Sequence, residues 1–136
     1  MIRDIVRDEK FLKIKSKPVT SEDLSIADDL RDTLTANRSR CVGMAANMIG
    51  YHKNMIIVAV GPVSMVMLNP RIISREGPYD TEEGCLSLTG VRRVTRYDKI
   101  EVQFENTDFE KFTREFTGEI AQIIQHECDH LEGKII

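Results

Sequence analysis

"IIQHECDHLEG", residues Ile123–Gly133, contains His126, Glu127 and His130 in the order His-Glu-x-x-His. A helix turns by about 100° per residue, so side chains four positions apart lie on nearly the same face. The two imidazoles can therefore bind one metal ion, and Glu127 lies beside the first of them, close enough to move a proton on water. A histidine pair that is merely packed or solvated is the alternative, but it leaves the intervening glutamate unexplained. The stretch thus predicts a metal-binding helix.

The ligands missing from this stretch are expected upstream. A catalytic metal site usually has three protein ligands and one position for water. Cys128 and Glu132 each lie two positions from a histidine, so they face away from the pair. The upstream candidates are several carboxylates and the side chains of Cys41, His52 and Cys85. The glycine-containing context "EEGCLSLTG" favours Cys85 modestly over Cys41, whereas His52, in the polar "YHKN" connection, is expected to be a solvated loop residue.

Length and composition predict one soluble domain spanning residues 1–136. The chain is 41% hydrophobic and 30% charged, which is ordinary for a globular protein. No apolar run approaches the roughly 20 residues that span a bilayer, so no membrane association is expected. The N-terminal stretch "MIRDIVRDEKFLKIKSK" has charges distributed among its apolar positions, unlike a signal peptide. We therefore expect a cytoplasmic protein.

Charge and cysteine content exclude two further classes. A net charge of -3 argues against direct nucleic-acid binding as the primary function. The 3 cysteines are too few, and odd in number, for a disulfide framework. Reduced thiols are expected instead, which leaves a cysteine available as a metal ligand.

Hydrophobic patterning predicts an α+β fold. Residues 20–40 form a predicted helix, because Leu24, Ala27, Leu30 and Leu34 recur at intervals of three or four. A second predicted helix runs from Gly118 to about Gly133. Short apolar, β-rich runs between the helices predict strands near residues 54–60, 63–70, 71–77, 99–106 and 109–117. This order indicates antiparallel or mixed β-sheets packed around the C-terminal metal-binding helix.

Three separated stretches resemble the motifs of peptide deformylases. "VGMAANMIG", residues 42–50, resembles the first motif, and "EGCLS", residues 83–87, is identical to the usual second motif. "QHECDHLEG", residues 125–133, matches the third. Their order and spacing agree with the family. The resemblance implies a peptide deformylase-like fold and a hydrolase that removes the formyl group from the N-terminal formylmethionine of nascent bacterial polypeptides.

The resemblance also implies a role for particular residues. Cys85, His126 and His130 would hold one metal ion, which is Fe2+ in this family, with Zn2+ or Ni2+ able to occupy the site. Glu127 would act as general base and then general acid. The backbone N–H of Leu86 would stabilise the negative charge that develops on the formyl oxygen.

Substrate contacts are implied at a further set of positions. Gly43 and Gly84 would let the substrate backbone approach closely, and Arg92 would contact the peptide beyond methionine. The methionine pocket would be lined by Val42, Leu86 and Ile123, for which packing in the core is the alternative. Glu83 and Arg96 match an ion pair that supports the site. The implied partners are formyl-Met N-termini of nascent peptides and, transiently, the ribosome, although many members have a further C-terminal helix that does not follow Gly133 here.

Met48, which the resemblance places among the substrate-binding positions, is the main departure from the family pattern, which has glutamine there. A packed side chain is the alternative role for Met48. A thioether cannot donate a hydrogen bond, and losing one oxyanion donor typically costs about 10²–10³ in turnover. Cys41 also stands where the family pattern has a glycine, and Thr89 stands where the family frequently has a proline. Two interpretations follow: a working deformylase, or a deformylase-like protein with weak or no activity that recognises peptide N-termini. A metalloprotease is disfavoured by "EGCLS" and by the lack of a downstream ligand.

Overall fold

A five-stranded antiparallel sheet forms the frame of the molecule, described here from a computed structural model of residues 1–136. The strands pair in chain order, each antiparallel to the next. The strands are β1 (Gly43–Ala45), β2 (Met55–Val60), β3 (Val63–Cys85), β4 (Leu88–Glu105) and β5 (Lys111–Thr117). The predicted α+β class is confirmed, with an antiparallel rather than mixed sheet.

Strand β3 is longer than the sequence analysis predicted. Two separate strands were expected within it, because prolines and a glycine resemble turn signals, and residues 78–85 were not assigned. The structure instead has one strand with register shifts between Leu68 and Arg71 and between Ile72 and Ser74. Pro70 and Pro78 lie beyond the last pairing with β2, so β3 has only β4 as a neighbour there. A residue without an N–H is tolerated on such an edge.

Three helices accompany the sheet: α1 (Glu9–Leu12), α2 (Ser25–Ala36) and α3 (Gly118–Leu131). The helix predicted over residues 20–40 was too long at both ends. Residues 21–23 form a 3₁₀ turn, in which the Thr20 N–H donates to the Asp23 carboxylate at 2.9 Å. The predicted apolar face of α2 is largely confirmed, because three of its members are buried, namely Ala27, Leu30 and Leu34. None of the helices is long and apolar enough to cross a membrane.

Helix α3 packs into the core and ends at Leu131, with Gly133 at the C′ position as predicted. Ala121 and Ile124 of this helix are fully buried. Gly133 has a φ of +80°, and a Cβ at this position would lie 2.3 Å from the carbonyl oxygen of Lys13. The Gly133 N–H donates to the His130 carbonyl, and the Lys134 N–H donates to the Asp129 carbonyl, both at 3.0 Å. This is a Schellman motif, and it fixes the last turn of the helix that carries the histidines.

Candidate active site

Cys85, His126 and His130 come together where the end of β3 meets α3. Cys85 Sγ lies 3.2 Å from His130 Nε2, and the two Nε2 atoms lie 3.1 Å apart. All three donor atoms fall within 4.8 Å of one another. Of the upstream candidates, the structure therefore brings Cys85 to the histidine pair, in agreement with the predicted set.

His52 has a different environment from the one predicted. Its ring stacks on Phe11 with centroids 3.9 Å apart, and its Nε2 lies 2.9 Å from the Phe11 carbonyl oxygen. The predicted loop position is confirmed, but the side chain is half-buried rather than solvated, because α1 packs over this connection. The predicted outward orientation of Cys128 is confirmed, since it lines a separate depression with Glu132 on the other side of α3.

Glu83 orients the first histidine. Its Oε1 lies 2.7 Å from His126 Nδ1, which leaves Nε2 directed at the other two donors. Gln122 also donates to Glu83 at 2.8 Å, and the predicted ion pair with Arg96 is present at 2.7 Å. Arg96 in turn pairs with Asp129 at 2.6 Å. Burial alone would raise the pKa of Glu83, but the hydrogen bonds from His126, Arg96 and Gln122 outweigh it and lower that pKa to about 2.

The two imidazoles differ in their affinity for a proton. Burial and the neighbouring His126 lower the pKa of His130 to about 3. Burial also acts to lower the pKa of His126, but its hydrogen bonds to Cys85 and Glu83 outweigh burial and raise it. The pair therefore takes up one proton rather than two near neutral pH. A metal ion held by the two histidines would compete with this proton, because imidazole binds metal only in its deprotonated form.

Glu127 is a buried carboxylate on the same helix as the two histidines. The residue is only 5% exposed, and its Oε1 makes no hydrogen bond. Burial, the largest cause, raises the pKa of Glu127 to about 7. A group that titrates near neutral pH exchanges protons efficiently with a reacting water. The surroundings of Glu127 therefore suit it to acid–base chemistry.

A cleft of about 260 Å³ opens onto these groups. Of the predicted substrate-binding residues, the structure places Val42, Gly43, Met48, Gly84, Leu86 and Ile123 in its lining. Arg92 is outside this lining; its Nη1 donates to the Thr89 carbonyl at 3.4 Å. Its assignment as a peptide contact stays a prediction.

Three residues that line the cleft were not predicted from the sequence: Arg40, Glu119 and Gln122. Glu119 and Gln122 precede Ile123 and His126 at intervals of three and four on α3, so helical periodicity could have identified them. Arg40 follows α2 in a turn, where no periodic signal exists.

Packing around the cleft explains the residue types found at Met48 and Gly43. Met48 is 1% exposed, and its Sδ accepts the Ala45 N–H at 3.4 Å. Its expected role as a packed residue is thus confirmed. A Cβ on Gly43 would lie 2.6 Å from Ile123 Cγ2, so the missing side chain lets β1 approach α3. Gly84 meets nothing closer than 3.6 Å, which leaves its predicted role toward substrate open.

Together, the antiparallel sheet, the helix-borne imidazoles, the nearby thiol and the buried glutamate define the class of metallohydrolases with a His-Glu-x-x-His helix. The family model described as polypeptide deformylase matches residues 2–136. The chain belongs to the polypeptide deformylase family.

Individual relatives support this membership over the whole chain. A peptide deformylase of Clostridium beijerinckii is 51% identical over 136 residues, with 100% of both chains covered. One of Heliobacterium modesticaldum is 40% identical, covering 92% of this chain and 84% of the relative. The solved structure of a peptide deformylase from Legionella pneumophila has a TM-score of 0.90 and 33% identity, covering 99% of this chain and 83% of the other. A Met-Ala-Ser-bound class I type b enzyme from Acinetobacter baumannii has a TM-score of 0.89 and 30% identity, covering 99% and 97%.

Proposed function

We propose that this protein is a metal-dependent hydrolase that removes the formyl group from N-terminal formylmethionine of nascent polypeptides. The observation that carries the proposal is Glu127, a buried carboxylate with an unpaired oxygen beside Cys85, His126 and His130. A protein that only recognised peptide N-termini would have no use for a carboxylate whose burial opposes its charge. Since the substrates are nascent chains, action in the cytoplasm with transient ribosome contact belongs to the proposal.

The three donors fit a divalent transition metal. A thiolate and two imidazoles are ligands that Fe2+, Zn2+ and Ni2+ accept, and here their donor atoms converge within 4.8 Å. Fe2+ is the proposed native ion, with Zn2+ or Ni2+ as substitutes. When bound, the ion would supply Lewis acidity, which polarises a carbonyl and makes a water proton easier to remove near neutral pH.

The chain's own groups account for the movement of protons and the binding of the oxyanion. Glu127 takes a proton from the attacking water and later delivers it to the departing amine. Leu86 lies in the turn between β3 and β4, and its backbone N–H donates to no group of the chain. That N–H is free to stabilise the formyl oxygen as negative charge develops on it.

Apolar side chains make the cleft suitable for a methionine. Val42, Leu86 and Ile123 contribute to the lining of the 260 Å³ cleft, which Cys85 and His126 also line. The solved relative with Met-Ala-Ser bound supports a peptide that begins with methionine as the occupant. In this arrangement the formyl group would reach Glu127 while the rest of the peptide leaves through the mouth.

The test is formate release from formyl-Met-Ala-Ser by protein prepared anaerobically and loaded with Fe2+. Glu127→Gln is the matched variant, because it keeps the shape of the side chain and removes the base. We expect turnover by the parent and a loss of about 10³-fold in the variant, with equal metal content in both. No formate release at full metal occupancy would overturn the proposed activity. Undiminished turnover in Glu127→Gln would instead remove the general-base assignment.

A further inference from the structure

The N-terminal segment reaches the turn between β3 and β4 through Arg7. Its Nη1 donates to the carbonyl oxygen of Leu86 at 2.9 Å, and this is the only hydrogen bond of the Arg7 side chain. The preceding residue is fixed independently, because the Val6 N–H donates to the Met48 carbonyl at 2.7 Å. Adjacent residues of one segment thus hold both the first-motif turn and the turn that follows Cys85.

The carbonyl that Arg7 contacts belongs to the same peptide group as the Ser87 N–H. This N–H donates to Cys85 Sγ at 3.4 Å. A single peptide unit therefore has a guanidinium at its oxygen and the cysteine sulfur at its hydrogen. Hydrogen bonds in series polarise one another, and a charged donor at one end strengthens the bond at the other. Arg7 is thereby connected to the sulfur without touching it.

We infer that Arg7 is a positioning residue of the metal centre, a role that rests on the proposed function. It holds the Leu86–Ser87 peptide so that the Ser87 N–H stays on Cys85 Sγ. An N–H on a ligating sulfur withdraws electron density from it, which leaves a bound ion the stronger Lewis acid. The same contact restrains Leu86, whose own N–H is the proposed oxyanion donor.

The competing explanation is an ordinary surface contact, because Arg7 is exposed. The chain offers a matched control for that explanation. Arg38 donates from Nη2 to the carbonyl of Gly61 at 2.9 Å, and it is likewise exposed. This contact lies at the turn between β2 and β3, and neither residue lines the cleft. Arg7→Ala and Arg38→Ala therefore remove the same kind of bond at two different places.

The experiment uses protein loaded with Co2+, whose absorption reports the metal–sulfur bond. The sulfur-to-cobalt charge-transfer band is recorded, and a chelator competes for the ion, with folding checked by circular dichroism. In Arg7→Ala we expect the band at lower energy, because the sulfur becomes more electron-rich. We also expect Co2+ to be lost to chelator about 10-fold more readily, because the peptide that orients Cys85 is no longer held. Arg7→Lys should restore part of both effects, since it keeps a charged donor. Arg38→Ala should match the parent.

Two results would overturn the inference while leaving the proposed function intact. One is an Arg7→Ala protein with the parent's band and metal retention; the other is an equal change in Arg38→Ala. A parent chain that binds no Co2+ at all would overturn the metal centre itself, and the role of Arg7 with it. The parent measurement thus separates the failure of the proposed function from the failure of this inference.

Discussion

Met48 is the residue at which the cleft departs most from the deformylase motif. Its side chain is nearly inaccessible, and its sulfur accepts the Ala45 N–H at 3.4 Å. A thioether has no proton to donate, so the side chain offers nothing to a developing oxyanion. In the proposed mechanism, this leaves the Leu86 N–H as the oxyanion donor from the protein.

Replacing Met48 by glutamine should raise kcat. The amide oxygen can accept the Ala45 N–H in place of sulfur, while the NH₂ group turns toward the cleft. One added oxyanion donor is worth about 10²–10³-fold in kcat, with little change in KM because the interaction forms mainly in the transition state. Formate release measures both constants. Met48→Leu is the control, since it keeps the volume without a donor and should leave kcat within about 2-fold. An unchanged kcat in Met48→Gln would show that the oxyanion already has all the stabilisation it uses.

At the scale of elements, the contact between β1 and α3 positions Glu127. A Cβ at Gly43 would lie 2.6 Å from Ile123 Cγ2 and 3.0 Å from Glu127 Oε2. Side chains of α3 therefore occupy the space where any other residue at position 43 would place its own side chain. The separation of these two elements sets the depth of the cleft.

Gly43→Ala should consequently destabilise the fold and impair catalysis together. The new methyl group must push α3 away from β1, at a cost of about 1–3 kcal/mol in the free energy of unfolding. Urea unfolding measures this cost, and formate release should fall because Glu127 moves with the helix. Gly84→Ala is the matched control for stability: its Cβ would meet nothing nearer than 3.6 Å. Equal stabilities of the two variants would show that α3 is free to shift.

The elements also show what sequence can and cannot predict. Helical periodicity identified His126, Glu127 and His130, and it could have found Glu119. The role of Glu83 was also accessible, because residues two apart in a strand share a face and Cys85 lies on that face. The contact of Arg7 with Leu86 could not be predicted from the sequence, since it joins positions 79 apart and leaves no local pattern. The continuity of β3 was not predicted, because prolines in a sequence usually mark turns. They are tolerated here because β3 pairs on only one side in this region, which cannot be read from the sequence.

For the molecule as a whole, one charged network joins the sheet to α3. Glu83 of β3 pairs with Arg96 of β4, and Arg96 pairs with Asp129 of α3. Glu83 and Arg96 are 9% and 4% exposed, so little solvent screens the pair. Removing one partner of a buried pair is more costly than its surface equivalent, because the other charge is left without compensation.

Acid should therefore weaken the whole fold through Glu83. Its pKa of about 2 when folded lies below the ordinary value of 4.5, so the unfolded chain binds a proton first as pH falls. The contribution of ionised Glu83 to the free energy of unfolding is fully present above about pH 4.5 and is lost between there and about pH 2. The difference between the two pKa values corresponds to about 3 kcal/mol. Urea unfolding of metal-depleted protein across this range measures it. Glu83→Gln should be less stable than the parent at neutral pH and should lose less of its free energy of unfolding on acidification. If the free energies of unfolding of variant and parent fall in parallel as pH is lowered, Glu83 is not the source of the acid sensitivity.

The long β3–β4 hairpin has a consequence for folding kinetics. Its pairing runs from Cys85 and Leu88 at the turn to Leu68 and Glu105 at the far end. Pairing can spread outward from the turn, so each step closes only a small additional loop. Cys85 is thus placed early, whereas His126 and His130 arrive only when α3 docks. If the transition state precedes that docking, a bound ion would slow unfolding and leave the folding rate unchanged.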